Sequence, residues 1–281
     1  MSAPASHQFE HDGLSLHYLD YGGEGFPLIL LHGLTGYAHS WDAIAEPLTD
    51  SHHVYALDQR GHGDSDHADD YGVEKFSADV AAFASQIGAD FYAVCGLSLG
   101  ARNAIAVGGE QSDKLTHLVL VDMAPEMART GAKRVRSNIG GQLDITKGFA
   151  SADEAYDYAI SITERPDDAS VQARARVGIE HAMRTGEDGR LYYKYDPELF
   201  KITGKAAVPE QPYLWGCLER TLCPTLVVRG ETSDVLSPEL VDRMVELLPN
   251  GEAVEVAGAG HPVPYDQPEE FLRVLREFLS S

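Results

Sequence analysis

AVCGLSLGARNAI, residues 93–105, runs an apolar strand straight into a helix and leaves a serine at the corner. The strand side, from Phe91 through Cys95, is aromatic and β-capable, and the helix side opens at Leu99-Gly100-Ala101-Arg102. Gly96-Leu97-Ser98-Leu99-Gly100 matches G-x-S-x-G, a pattern in which the chain turns so sharply that only glycine fits two residues to either side of the serine. Such a turn lifts the serine hydroxyl clear of the sheet. Ser98 is therefore the candidate nucleophile.

Working outward, the same alternation of strand and helix recurs. LSLHYLDYG, PLILLHG, HHVYALDQRG, FYAVCGLS, HLVLVDMAP, TLVVRGE and GEAVEVAGAGH read as strands. WDAIAEPLTD, VEKFSADVAAFASQI, ARNAIAVGGEQ, SPELVDRMVELLP and PEEFLRVLREFLSS read as helices between them. Apolar strands alternating with helices imply an α/β fold with a mostly parallel sheet between helical layers. LSLHYLDYG alternates more strictly, as an antiparallel edge strand does. The pattern breaks between about Ala128 and Tyr213, where SADEAYDYAISIT and SVQARARVGIEHAMRT read as helices. That stretch is too long for a loop and is read as a helical cap. The expected organisation is a core domain of residues 1–127 and 214–281 with a cap at 128–213.

A serine hydroxyl needs a base, and the base needs an orienting acid. His261, in the Gly-rich loop VAGAGHPVPYDQP after the last strand, stands where open α/β sheets place their ligands. Asp234, in VVRGETSDVLS after the preceding strand, is the expected acid, and Asp122, ending HLVLVD, is the alternative. Attack on a carbonyl also calls for N–H donors aimed at the developing oxyanion. Leu99, just after the nucleophile, and Leu34, in the loop LILLHGLTG, are the expected donors, with His32 holding that loop in place.

Composition narrows the partners. The chain has 281 residues, 43% of them hydrophobic, enough for one large domain with an insertion. A formal net charge of −22 argues against binding nucleic acid or anionic membranes. The apolar runs fall short of a membrane span, and the N-terminus lacks the pattern of an export signal. Three cysteines, Cys95, Cys217 and Cys223, show no metal-like spacing, and a reduced, cytoplasmic protein is expected. No nucleotide-binding glycine loop is present, and the chemistry calls for no cofactor. Seven Lys against fifteen Arg leave an acidic, Lys-poor surface that fits either salt adaptation or simple solubility. The expected partner is a small-molecule substrate; no oligomeric state is assigned.

LLHGLTG, ALDQRGHGDSD, GLSLG, LVVRGETSDVLS and GAGHPVPYDQPEEF, in that order, resemble the α/β-hydrolase superfamily over nearly the whole chain. The resemblance implies an eight-stranded, mostly parallel sheet with a lid inserted after the sixth strand. It also implies that DQRGHGDS is a structural turn, so Asp58, His62, Asp64, Asp66 and His67 are not a metal site. A serine rather than an aspartate at the elbow points to the esterase, lactonase, amidase and C–C hydrolase branches. SLGARN followed by an aspartate ending the next strand resembles, locally, the (acetamidomethylene)succinate amidohydrolase branch, whose acid lies at the position of Asp122. The expected activity is hydrolysis of an ester, lactone or amide through an acyl-enzyme. C–C bond hydrolysis, cofactor-free perhydrolysis and non-catalytic ligand binding are the alternatives. Trp41, Tyr192, Tyr193, Tyr195, Tyr213 and Trp215 are candidate pocket walls. Arg102, Arg129, Arg134 and Arg136 are candidate carboxylate ligands, with a salt-bridged helix face as the other reading of Arg102.

Overall fold

In the central strands, odd and even residues serve two different cores. In the computed structural model, which describes residues 3–128, 131, 147–163, 166–202 and 204–281, Leu28 and Leu30 of β3 (Pro27–Leu31) face one core while Ile29 and Leu31 face the other. The same division runs through β4 (His53–Leu57), β5 (Tyr92–Leu97), β6 (Leu115–Val121) and β9 (Thr225–Gly230). Side chains alternate across a strand, so two apolar layers need the unbroken apolar runs seen in the sequence. One layer is closed by α1 (Asp42–Leu48) and α9 (Pro268–Leu279). The other is closed by α2 (Val73–Gln86), α3 (Leu99–Glu110), α6 (Gln211–Arg220) and α7 (Pro238–Leu247).

The sheet has eight strands in the order β1-β2-β4-β3-β5-β6-β9-β10, with β1 at Ala5–His11, β2 at Leu14–Gly22 and β10 at Gly251–Val256. β1 and β2 run antiparallel, β2 pairs antiparallel with β4, and every pairing from β4 to β10 is parallel. β1 joins the sequence-derived strands as an edge whose buried side chain is Phe9. Its hairpin turns on Asp12 (φ 54°) and Gly13 (φ 78°), the two positive φ angles of a tight hairpin turn.

Between β6 and α6 the chain leaves the sheet. α4 (Ala152–Ser161) packs on α5 (Ala169–Ala182), and a small hairpin pairs β7 (Met183–Thr185) with β8 (Leu191–Tyr193). Phe149, Ala155 and Met183 form a small core there. Tyr195 and Leu199 pack on Tyr71 and Phe76, and the Tyr71 hydroxyl donates to Asp196 Oδ2 at 2.6 Å. The expected boundary at 213/214 falls inside α6. Arg129, Arg134 and Arg136 lie outside the described residues. Among the described residues, no helix is long and apolar enough to cross a membrane.

Candidate active site

Ser98 sits between β5 and α3 at φ 55°, ψ −114°, a strained conformation for a residue with a side chain. A Cβ on Gly96 would lie 2.3 Å from the Gly100 carbonyl oxygen, and one on Gly100 would lie 2.2 Å from that of Leu31. Both contacts are impossible, which is why the corner is built from glycine. Packing of α3 against the sheet on its far side holds the strained serine in place.

The Ser98 hydroxyl lies 2.9 Å from His261 Nε2. His261 follows β10 and precedes the short α8 (Val263–Asp266), whose Asp266 accepts a 2.8 Å hydrogen bond from the Gly260 N–H and so fixes the loop. His261 Nδ1 lies 2.7 Å from Asp122 Oδ2. Asp122 is completely buried at the end of β6, where its N–H still donates to Val228 O at 2.8 Å while φ 51° turns the chain away from the sheet. Asp234, the expected acid, does not occupy this place: the carboxylate at Nδ1 is that of Asp122. The Asp234 loop is turned to another use. Its backbone oxygens at Asp234 and Val235 accept from Gly131 and Ala128, where the inserted segment begins. Asp234 lines an adjoining cleft of about 530 Å³ that also touches His261.

Ser98 and His261 open onto a cavity of about 720 Å³. Its floor is the loop after β3, with Gly33, Leu34 and Tyr37, and its roof is α5, with Val171, Arg174 and Ile179. A Cβ on Gly33 would stand 3.3 Å from Ser98 Cβ, which measures how close that loop comes. Leu99 opens α3, so its N–H has no acceptor within the helix. Among the described residues no acceptor is found for the Leu34 N–H. Tyr193 lines the cavity; Trp41 and Trp215 are buried elsewhere, Trp41 against Phe271 and Trp215 beneath Arg243. Tyr37, Tyr265 and Arg174 are cavity residues that no sequence pattern singled out. Arg174 reaches across from α5 and donates to Tyr265 O at 2.7 Å.

His32 is wholly buried in a structural role. Its Nδ1–H donates to Gly33 O at 2.8 Å and its Nε2 accepts from Gln59 N–H at 3.1 Å, and burial holds its pKa below the ordinary value. Asp58 has a lowered pKa despite its burial, because it accepts from His17, lies near His32 and accepts from the Asp64 N–H; it also accepts from the Ala38 N–H. Asp64 in turn pairs with Lys194. His17, Asp58 and Asp64 come close enough to suit a metal ion, but these hydrogen bonds already engage the donor atoms such an ion would need. Asp66 accepts from Ser15 N–H, and His62 Nδ1–H donates to Arg60 O. The three cysteines are buried free thiols.

A family model described as alpha/beta hydrolase family matches residues 28–274. The chain belongs to that family. It is 30% identical over 271 residues to the N-formylmaleamate deformylase of Pseudomonas putida, covering 95% of this chain and 94% of that one. It is 28% identical over 269 residues to the 2-(acetamidomethylene)succinate hydrolase of Mesorhizobium japonicum, covering 92% and 90%. Among solved structures, that of an E-2-(acetamidomethylene)succinate hydrolase superposes with a TM-score of 0.84 at 24% identity over 99% of this chain and all of the other, a likeness of fold.

Proposed function

We propose that this α/β-hydrolase is a serine hydrolase that cleaves the ester, lactone or amide bond of a small organic substrate through an acyl-enzyme. The observation that carries the reading is the unbroken chain Ser98–His261–Asp122 at the wall of a cavity of ligand size. His261 Nδ1–H donates to Asp122, which leaves Nε2 unprotonated and ready to accept the Ser98 proton. As Ser98 Oγ attacks the carbonyl carbon, His261 takes that proton, and the Leu34 and Leu99 N–H groups receive the oxyanion. The imidazolium then protonates the leaving group as its bond to the acyl carbon breaks. Water, activated by the same nitrogen, releases the acid. Side chains, backbone and water supply every group that these steps require. The inserted segment acts as a cap: its α5 forms one wall of the cavity, and the substrate is held between that helix and the loop after β3.

An amide is favoured as the scissile bond. A deformylase of N-formylmaleamate and a hydrolase of 2-(acetamidomethylene)succinate both align over at least nine-tenths of this chain. A fluorophosphonate probe is expected to label the wild type at Ser98 and to leave Ser98→Ala unlabelled. Equal labelling of the two proteins would remove the reading, and a panel of amides, esters, lactones and vinylogous diketones then ranks the bond classes.

A further inference from the structure

Asp122 is completely buried, so its carboxyl oxygens depend on the protein for hydrogen bonds. Three donors meet it. The Gly230 N–H donates to Oδ1 at 3.0 Å, His261 Nδ1–H donates to Oδ2 at 2.7 Å, and the Ser233 hydroxyl donates to the same Oδ2. Ser233 comes from the loop after β9, the loop in which the acid was sought, one residue before Asp234.

The direction of that hydroxyl is settled by its other partner. Ser233 Oγ accepts from the Val235 N–H at 3.1 Å, which occupies a lone pair and leaves the hydroxyl proton to Asp122. The loop itself is clamped. Ser233 N–H donates to Gly230 O at 3.0 Å, Arg229 Nε–H donates to Leu236 O at 2.8 Å, and Arg229 is paired with Glu255 on β10. A rigid loop holds a hydroxyl of known orientation on the oxygen that orients the base.

We infer that Ser233 is a positioning residue for the reaction, acting through Asp122 to hold its carboxylate in line with His261. The inference rests on the triad reading above. Without the hydroxyl, Oδ2 loses one of its two donors, and the carboxylate gains freedom to rotate about its Cβ–Cγ bond. The other charged and polar groups lining the clefts beside His261 are Arg174, Asp234 and Asp266 in the adjoining cleft and Tyr265 in the main cavity; Ser233→Ala leaves all four in place.

The test is the second-order rate of fluorophosphonate labelling of Ser98, which needs no knowledge of the substrate. Ser233→Ala is expected to label roughly 10-fold more slowly than wild type, the order expected for one lost hydrogen bond to a charged group. Ser233→Thr, which keeps a hydroxyl, should recover most of the rate, and Ser233→Val, of nearly the same shape, should not. That pair isolates the hydroxyl even where the alanine variant is poorly folded. A Ser233→Ala protein with wild-type rate overturns the inference, as does a Val variant equal to the Thr variant. Absence of labelling in the wild type strikes the triad reading instead, and the two failures are thereby told apart.

Discussion

One nitrogen of His261 has two candidate carboxylates within a few strands of it. β6 and β9 are neighbours in the sheet, so an acid at the end of either stands close to the histidine loop that follows β10. The hydrogen bond goes to Asp122, and this yields a sharp expectation. In Asp122→Asn the amide N–H₂ in the place of Oδ2 cannot accept from Nδ1–H, so His261 is driven to the tautomer that cannot take the Ser98 proton. The turnover rate, or the labelling rate at Ser98, should fall by up to about 10⁴-fold while the melting temperature changes little. Asp234→Asn should remain within a few-fold of wild type. A crippled, well-folded Asp234→Asn beside a near-normal Asp122→Asn would reverse the assignment. The places of Ser98 at a strained corner and of His261 beyond the last strand were legible because glycines must flank such a corner and because a Gly-rich loop carries the histidine. The acid was legible only in part: Asp122 stood as the alternative through the local likeness carried by SLGARN and the aspartate ending the next strand, and its preference over Asp234 turns on the positive φ of Asp122 and the Ser233 hydroxyl directed at it.

At the scale of elements, α3 does more than follow the Ser98 corner. Its Arg102 is buried, not turned into the cavity, and pairs with Glu210 at the foot of the inserted segment, whose other oxygen accepts from the Val73 N–H at the start of α2 at 3.0 Å. Burial lowers the Arg102 pKa to about 10, and its Nε and Nη1 have no hydrogen-bond partner among the described residues. Glu210 therefore holds together α2, α3 and the end of the insertion. Glu210→Gln should keep the bond to Val73 but strand the guanidinium. That costs about 3 kcal/mol, the lower end for a broken buried pair because Glu210 is itself 29% exposed. Arg102→Met combined with Glu210→Gln should recover most of that loss in urea melts. Equal stability of Glu210→Gln and wild type would show that the pair contributes nothing net. The central strands were legible because two-faced burial demands uninterrupted apolar runs. β1 is polar, with Phe9 as its buried residue, so its signal was reduced to the Asp12-Gly13 turn. α6 begins at Gln211-Pro212 straight after the segment ending at Glu210, so residue pattern did not separate it from the insertion.

For the whole molecule the governing quantity is charge. Forty-four acidic residues face twenty-two basic ones. Several of the latter are engaged in exposed pairs such as Lys75–Asp12, Arg273–Glu270 and Arg276–Asp50. Exposed pairs are worth about 0–1 kcal/mol each, and salt weakens them. The unpaired excess of negative charge acts the other way, since self-repulsion opposes the compact state and salt screens it. The screening length is about 10 Å at 0.1 M and about 3 Å at 1 M, so repulsion across the surface is felt at the lower concentration and nearly gone at the higher. An excess of 22 charges spread over the surface outweighs a few marginal pairs, which fixes the sign. The melting temperature should rise by several degrees between ~0.1 M and ~2 M KCl. Replacing exposed Glu252 and Glu269 by Gln should flatten that rise, because it removes part of the repulsion that salt would otherwise screen. A melting temperature that stays constant or falls with KCl would show that the acidic surface serves solubility and places no strain on the fold.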